Sequence, residues 1–178
     1  MQIRRAVGCM WVLADSYLGL EIYISGFIQE AGSVLFLALL IAIAYYDFRH
    51  HRIPDTYCVA ILIFGMVAAG GWGLSVNERV FGGLAVSAGM VLLAVCRPGA
   101  FGGGDIKLSA AAGLGLGWRC MLSAFILAVL SAGIYAAYLL FCQREGMSRR
   151  FALGPFLCLG LCISFLGGDG LASWLLLA

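Results

Sequence analysis

Charge is what this chain has least of. Asp, Glu, Lys and Arg make up 11% of its 178 residues, against about 25% in an ordinary soluble domain. So little charge cannot clothe a surface in water. With 63% hydrophobic residues and a mean hydropathy of +1.01, a soluble globular domain is excluded. The net charge of +2 is too small for an electrostatic hold on nucleic acid. Paired metal-binding cysteines are missing as well. The seven cysteines (Cys9, Cys58, Cys96, Cys120, Cys142, Cys158 and Cys162) lie in or beside apolar runs. None forms a Cys-x-x-Cys pair, so neither a zinc knuckle nor a disulfide framework is expected. Cys158 and Cys162 share a helix face, as small packing residues do. His50 and His51 are adjacent in a basic loop and read as solvated rather than as ligands. Neither a metal nor a cofactor is expected. Residues 1–28 lack a clear small-residue cleavage site, and Asp15 and Glu21 interrupt their apolar stretch, so they read as a helix rather than a signal peptide.

What the chain does have is a series of long apolar runs separated by short polar breaks. These predict helices near 31–47, 56–75, 80–96, 105–118, 119–142 and 152–177. The expected fold class is all-α: a polytopic membrane helix bundle with six core transmembrane helices plus an extra N-terminal helix. Residues 1–30 form the extra helix, and residues 31–178 the membrane domain. The fourth run is about 14 residues, short of the roughly 20 that a bilayer needs. It is expected to start below the membrane surface, from a re-entrant glycine loop. The last run contains Gly167-Gly168-Asp169-Gly170, a place to break.

Basic residues set the orientation. With the 47–55 loop on the cytoplasmic side, Arg49, Arg52, Arg97, Lys107, Arg144, Arg149 and Arg150 fall inside, and Arg79 and Arg119 outside. If residues 6–28 also span, Arg4 and Arg5 join the inside set. Small residues mark close helix packing: Ser109, Gly113 and Gly117 on one helix, Ala85 and Gly89 on the one before it.

Two carboxylates stand out, because acids are costly near hydrocarbon. Asp47 ends an apolar helix in Tyr45-Tyr46-Asp47-Phe48-Arg49-His50-His51-Arg52-Ile53-Pro54-Asp55. Asp105 follows a glycine cluster in Gly102-Gly103-Gly104-Asp105-Ile106-Lys107-Leu108. The orientation puts both at the cytoplasmic face. Carboxylates that meet share a proton, and one can activate a water while the other protonates a carbonyl. Bland readings stand beside this one. Asp105 suits an N-cap after a flexible re-entry turn. Asp47 opposes the helix dipole but can pair with Arg49 or Arg52. Asp55 reads as an N-cap. Lys107 either tunes Asp105 or contacts lipid phosphate. The glycines permit φ > 0 and the approach of a substrate backbone.

Asp47 with Ile53-Pro54-Asp55, then Gly102-Gly103-Gly104-Asp105-Ile106-Lys107-Leu108, resembles the type IV prepilin peptidases, membrane aspartic proteases with a Gly-x-Gly-Asp signature. The likeness continues through Ala111-Ala112-Gly113 and Leu116-Gly117-Trp118. It returns at Leu153-Gly154-Pro155-Phe156-Leu157-Cys158-Leu159-Gly160, similar to the family's Gly-Pro-Phe-Leu-Ala-x-Gly stretch. The resemblance implies removal of the short basic leader from type IV prepilins or pseudopilins at the cytoplasmic face of the bacterial inner membrane. It implies Asp47 and Asp105 as the catalytic pair, with no metal. Gly102, Gly103, Gly104 and Lys107 are expected to bind substrate. A homo-oligomer is compatible with this reading. Larger relatives carry an N-terminal methyltransferase domain with Cys-x-x-Cys pairs. Residues 1–30 have none, so a minimal, peptidase-only form is expected. The nearest alternative is a presenilin or signal-peptide-peptidase type of protease, which also pairs Tyr-Asp with Gly-x-Gly-Asp but carries Pro-Ala-Leu where this chain has Gly154-Pro155-Phe156. A proton-coupled transporter subunit and a non-cutting pilin-binding assembly factor are the non-enzymatic alternatives.

Overall fold

A computed structural model of the chain describes residues 2–50, 53–97, 102–139, 141 and 153–177. Among them there is no strand. Six α-helices follow one another: α1 (Gln2–His50), α2 (Asp55–Ala68), α3 (Val76–Cys96), α4 (Gly103–Leu116), α5 (Trp118–Tyr138) and α6 (Gly154–Leu177). A single 3₁₀ turn, Gly70–Trp72, joins α2 to α3.

Local chemistry accounts for the places where helix ends differ from the expected ones. The run near 56–75 stops at Ala68, because Gly70, Gly71 and Gly73 are poor helix formers and Gly73 takes the left-handed conformation (φ 63°). The next helix begins at Val76, four residues earlier than expected. There Ser75 and Glu78 form a reciprocal capping box, with Ser75 N–H donating to Glu78 Oε2 at 2.9 Å. Gly117 (φ 84°) separates α4 from α5. In α6 the backbone leaves helical geometry at Gly168 (φ 55°, ψ −156°), within the glycine run expected to break.

α1 differs most. The extra N-terminal helix and the first core helix are one unbroken helix of 49 residues, about 70 Å long at 1.5 Å per residue. Gln29 and Glu30, the polar break in the apolar pattern, are good helix formers and do not end it. Residues 6–28 therefore do not fold back as an antiparallel span. A continuous helix does not return Arg4 and Arg5 to the Asp47 end. Of the seven basic residues expected inside, Arg52, Arg144, Arg149 and Arg150 lie outside the described residues, as does His51.

Three helical stretches are long and apolar enough to cross a bilayer: Tyr23–His50, Val76–Cys96 and Trp118–Tyr138. The two parts of α6 qualify together as a fourth, bent span. α2 and α4, at 14 residues each, are about 21 Å long and shorter than the hydrocarbon layer. The chain is thus a multi-pass membrane protein.

α4 is the central helix, in contact with α2, α3, α5 and α6, while α1 packs on α2 and α6. Phe36, Leu40 and Ile43 of α1 meet Ile61, Met90, Leu108, Leu116, Met121, Leu157 and Leu161 in one buried core. Phe165 closes it at the far end between Phe36 (ring centroids 5.1 Å) and Trp72 (5.6 Å). The expected small-residue face on α4 is buried at Ser109, Gly113 and Gly117. On α3 the buried small residues are Gly82, Gly83 and Ser87, and Ala85 and Gly89 point outward. Gly82 and Gly113 meet backbone to backbone: a Cβ at Gly82 would lie 2.6 Å from the Gly117 carbonyl carbon, and one at Gly113 would lie 2.8 Å from Gly83 N.

Candidate active site

The ends of the helices alternate between two faces of the bundle. At one face Arg79, near the start of α3, donates from Nη1 to the carbonyl of Gly115 at 2.6 Å, near the end of α4. A cation at a helix C-terminus is favourable. The start of α4 therefore lies at the opposite face, together with the end of α1 and the starts of α2 and α6.

Asp47 and Asp105 meet at that opposite face. Both are nearly buried, 5% and 7% exposed. Asp47 sits one turn from the end of α1. Asp105 is the third residue of α4, whose N-cap is Gly102 rather than Asp105. Gly154, the first residue of α6, reports their convergence. A Cβ built there would lie 3.2 Å from Asp105 Oδ1, 2.9 Å from Asp47 Cγ, and closer still to Asp47 Oδ2. Two carboxyl oxygens so near one point can both reach a single bridging water.

The glycine cluster works differently from the expectation. Gly102 is extended (φ −74°, ψ 140°). Among the described residues only Gly73, Gly117 and Gly168 have positive φ. Gly103 and Gly104 are already helical. What Gly104 provides is room: a Cβ there would lie 3.0 Å from Ile53 Cβ, so α4 starts tight against the connection that follows Asp47. Gly102 faces the Asp105 carboxylate, its built Cβ 3.3 Å from Oδ2. Gly103 faces open space, with nothing within 4 Å. It leaves bare backbone beside Asp105.

Lys107 turns toward the start of α2. Its Nζ donates to Asp55 Oδ1 at 2.7 Å, an exposed ion pair between α4 and α2. Asp55 is the first helical residue, after the N-cap Pro54, and not the N-cap itself. Arg49 lies over the Tyr45 ring at 5.8 Å. His50 stacks on Tyr46 (4.3 Å), and Tyr46 touches Tyr57 (5.8 Å). An aromatic cluster thus flanks Asp47 on the α2 side. Gly154 and Ile53 are the site-shaping residues to which sequence reasoning assigned no role. Gly154 stood in the quoted Gly-Pro-Phe stretch, where Pro155 at the second helical position marks a helix start.

The family model of the type IV leader peptidase family matches residues 34–137, a segment that holds both aspartates. This chain belongs to that family. Among its relatives is the prepilin leader peptidase/N-methyltransferase of Bacillus subtilis (strain 168), 31% identical over 145 residues, which are 80% of this chain and 58% of the relative. The protein of the same name from Legionella pneumophila is 29% identical over 163 residues (83% and 53%). The one from Escherichia coli (strain K12) is 30% identical over 149 residues (79% and 63%). This leader peptidase family member spans little more than half the length of those curated relatives. No solved structure matches the chain.

Proposed function

We propose that this chain is a membrane aspartic endopeptidase that removes the short basic leader from type IV prepilins or pseudopilins at the cytoplasmic face of the bacterial inner membrane. One observation carries the proposal: two nearly buried carboxylates from separate helices, Asp47 and Asp105, converge on Gly154. Family membership and the names of the relatives supply the substrate class.

The chemistry follows from proximity. Two carboxylates this close do not both ionise readily, so the pair holds one proton. The ionised member takes a proton from the bridging water as its oxygen attacks the scissile carbonyl carbon. The protonated member gives its proton to the carbonyl oxygen. The resulting gem-diol collapses as the first carboxyl returns a proton to the leaving nitrogen and the second takes one back from a diol hydroxyl. The C–N bond breaks and the pair regains its starting state without a covalent enzyme intermediate. The starts of α4 and α6 both face the pair, and their positive dipole ends favour the ionised member.

Gly102, Gly103 and Gly104 form the substrate side in this reading, with Gly103 the open position. Lys107 stands beyond them at the rim with Asp55. In the sequence, the segments that border this face carry seven basic residues and those that border the other carry four, Arg4, Arg5, Arg79 and Arg119, a bias that supports a cytoplasmic orientation.

Asp47→Asn and Asp105→Asn should each abolish leader removal while the protein still inserts. The assay is co-expression with a cognate prepilin, read by its size on a gel. Full processing by either variant would sink the two-carboxylate mechanism. A wild-type chain that leaves every prepilin uncut would favour a transporter or assembly role.

A further inference from the structure

We propose that Gly154 is a positioning residue of the aspartate pair, and that the bare first turn of α6 holds Asp47 in line with Asp105. This inference deepens the peptidase reading and rests on it. The observation is steric. A methyl group at position 154 would overlap Asp47 Oδ2, lie 2.9 Å from Asp47 Cγ and lie 3.2 Å from Asp105 Oδ1. No other glycine among the described residues has both carboxylates against its missing side chain.

What gives way decides the consequence. At Gly82 or Gly160 the atoms in the way include backbone: Gly117 C at 2.6 Å from the first, and Ala124 C at 3.1 Å from the second. Filling those positions must move helices apart. At Gly154 the atoms in the way belong to the ends of two acidic side chains. Asp47 can rotate about its own χ angles without shifting α1 or α6. The fold then persists, while Asp47 turns away from Asp105 and the bridging water loses one partner. The requirement for glycine here is one of space at the reacting atoms. Gly154 is not among the positive-φ glycines of the described residues. The residues next to it show the same economy. Leu153 accepts from Phe156 N–H (3.1 Å) and Leu157 N–H (3.0 Å), so the first turn of α6 closes without any side chain at 154.

The test compares Gly154→Ala with wild type in detergent, using a cognate prepilin as substrate. Misplacing a reacting group by about 1 Å costs on the order of 100-fold in rate. The expected result is therefore a fall in kcat of about 100-fold, with KM and the thermal midpoint close to wild type. A kcat within threefold of wild type would overturn the proposal, and so would a raised KM with kcat unchanged. A second measurement covers loss of folding. In Asp47→Ala the clashing carboxylate is gone, so adding Gly154→Ala to it should leave the thermal midpoint where Asp47→Ala alone puts it. Equal destabilisation by Gly154→Ala with and without Asp47 would make Gly154 a packing residue and refute the inference. This stability comparison needs no substrate. If the wild-type chain cuts no prepilin, the peptidase reading fails; a fall in thermal midpoint on Gly154→Ala that disappears in the Asp47→Ala background would still support the steric coupling of Gly154 to Asp47, and an equal fall in both backgrounds would refute it.

Discussion

At the scale of single residues, the three glycines before Asp105 have separate roles. Gly104 is space-limited by Ile53, whereas Gly103 is open. Gly104→Val should cost about 1–3 kcal/mol by overpacking, less a few tenths regained in helix propensity. Gly103→Ala should leave stability unchanged or slightly raised and raise KM for prepilin, because its bare backbone faces the proposed substrate path. Thermal unfolding in detergent and steady-state kinetics separate the two. Equal destabilisation by both would show that the cluster packs as a unit. The Asp55–Lys107 pair belongs to this scale too. Both side chains are more than half exposed, so solvent screens the pair, and its contribution lies in the 0–1 kcal/mol range of surface ion pairs. It ties the start of α2 to the start of α4 without dominating either. Asp105 was legible as a candidate acid because a carboxylate at an apolar helix start is costly. The neighbour that limits it, Gly154, was not. Glycine offers no polarity or periodicity by which to infer a contact across the bundle.

At the scale of helices, packing is decided by which small residues face a neighbour. α3 carries two candidate sets. Gly82, Gly83 and Ser87 turn inward, and Ala85 and Gly89 turn outward. Sequence spacing singled out the second set. In a soluble helix the polar face would have told them apart. In a membrane the outside is as apolar as the inside, so periodicity alone does not say which face is buried. Gly113→Leu should separate α3 from α4 and lose the folded protein. Ala85→Leu, on the outward face, should be tolerated. Yield of monodisperse protein after extraction is the measurement, and normal yield from Gly113→Leu would contradict the close approach. The α5–α6 contact is secured by polar groups as well. Ser164 Oγ donates to the carbonyl of Cys120 at 2.9 Å and lies against Ser123 Oγ, both serines being buried. Side-chain hydrogen bonds of this kind between membrane helices contribute about 0.6 kcal/mol on average.

At the scale of the whole molecule, the question is which face holds the pair. The chain has one lysine, Lys107, more than half exposed at the Asp105 end of α4. A membrane-impermeant amine reagent should label it in inside-out vesicles and spare it in right-side-out ones. Labelling from the outer face of intact cells would overturn the cytoplasmic orientation. The α1 helix makes a paired forecast: running from residue 2 to residue 50 without a turn, it puts residue 2 and Lys107 on opposite sides, so peptide mapping of a Gln2→Lys variant should find the two lysines labelled in opposite preparations.

The chain by itself determined its solvent, its helical class and the two acids proposed as the catalytic pair. Those follow from local quantities: 63% hydrophobic residues, apolar run lengths, and the energetic cost of an unshared carboxylate near lipid. Only the tertiary structure decided that α1 runs unbroken through its polar interruption, which face of α3 is inside, and that Asp47 and Asp105 share a boundary at Gly154. Each of these is a distance between residues far apart in the chain, set by how closely helix backbones approach, and no local property of the intervening residues encodes it.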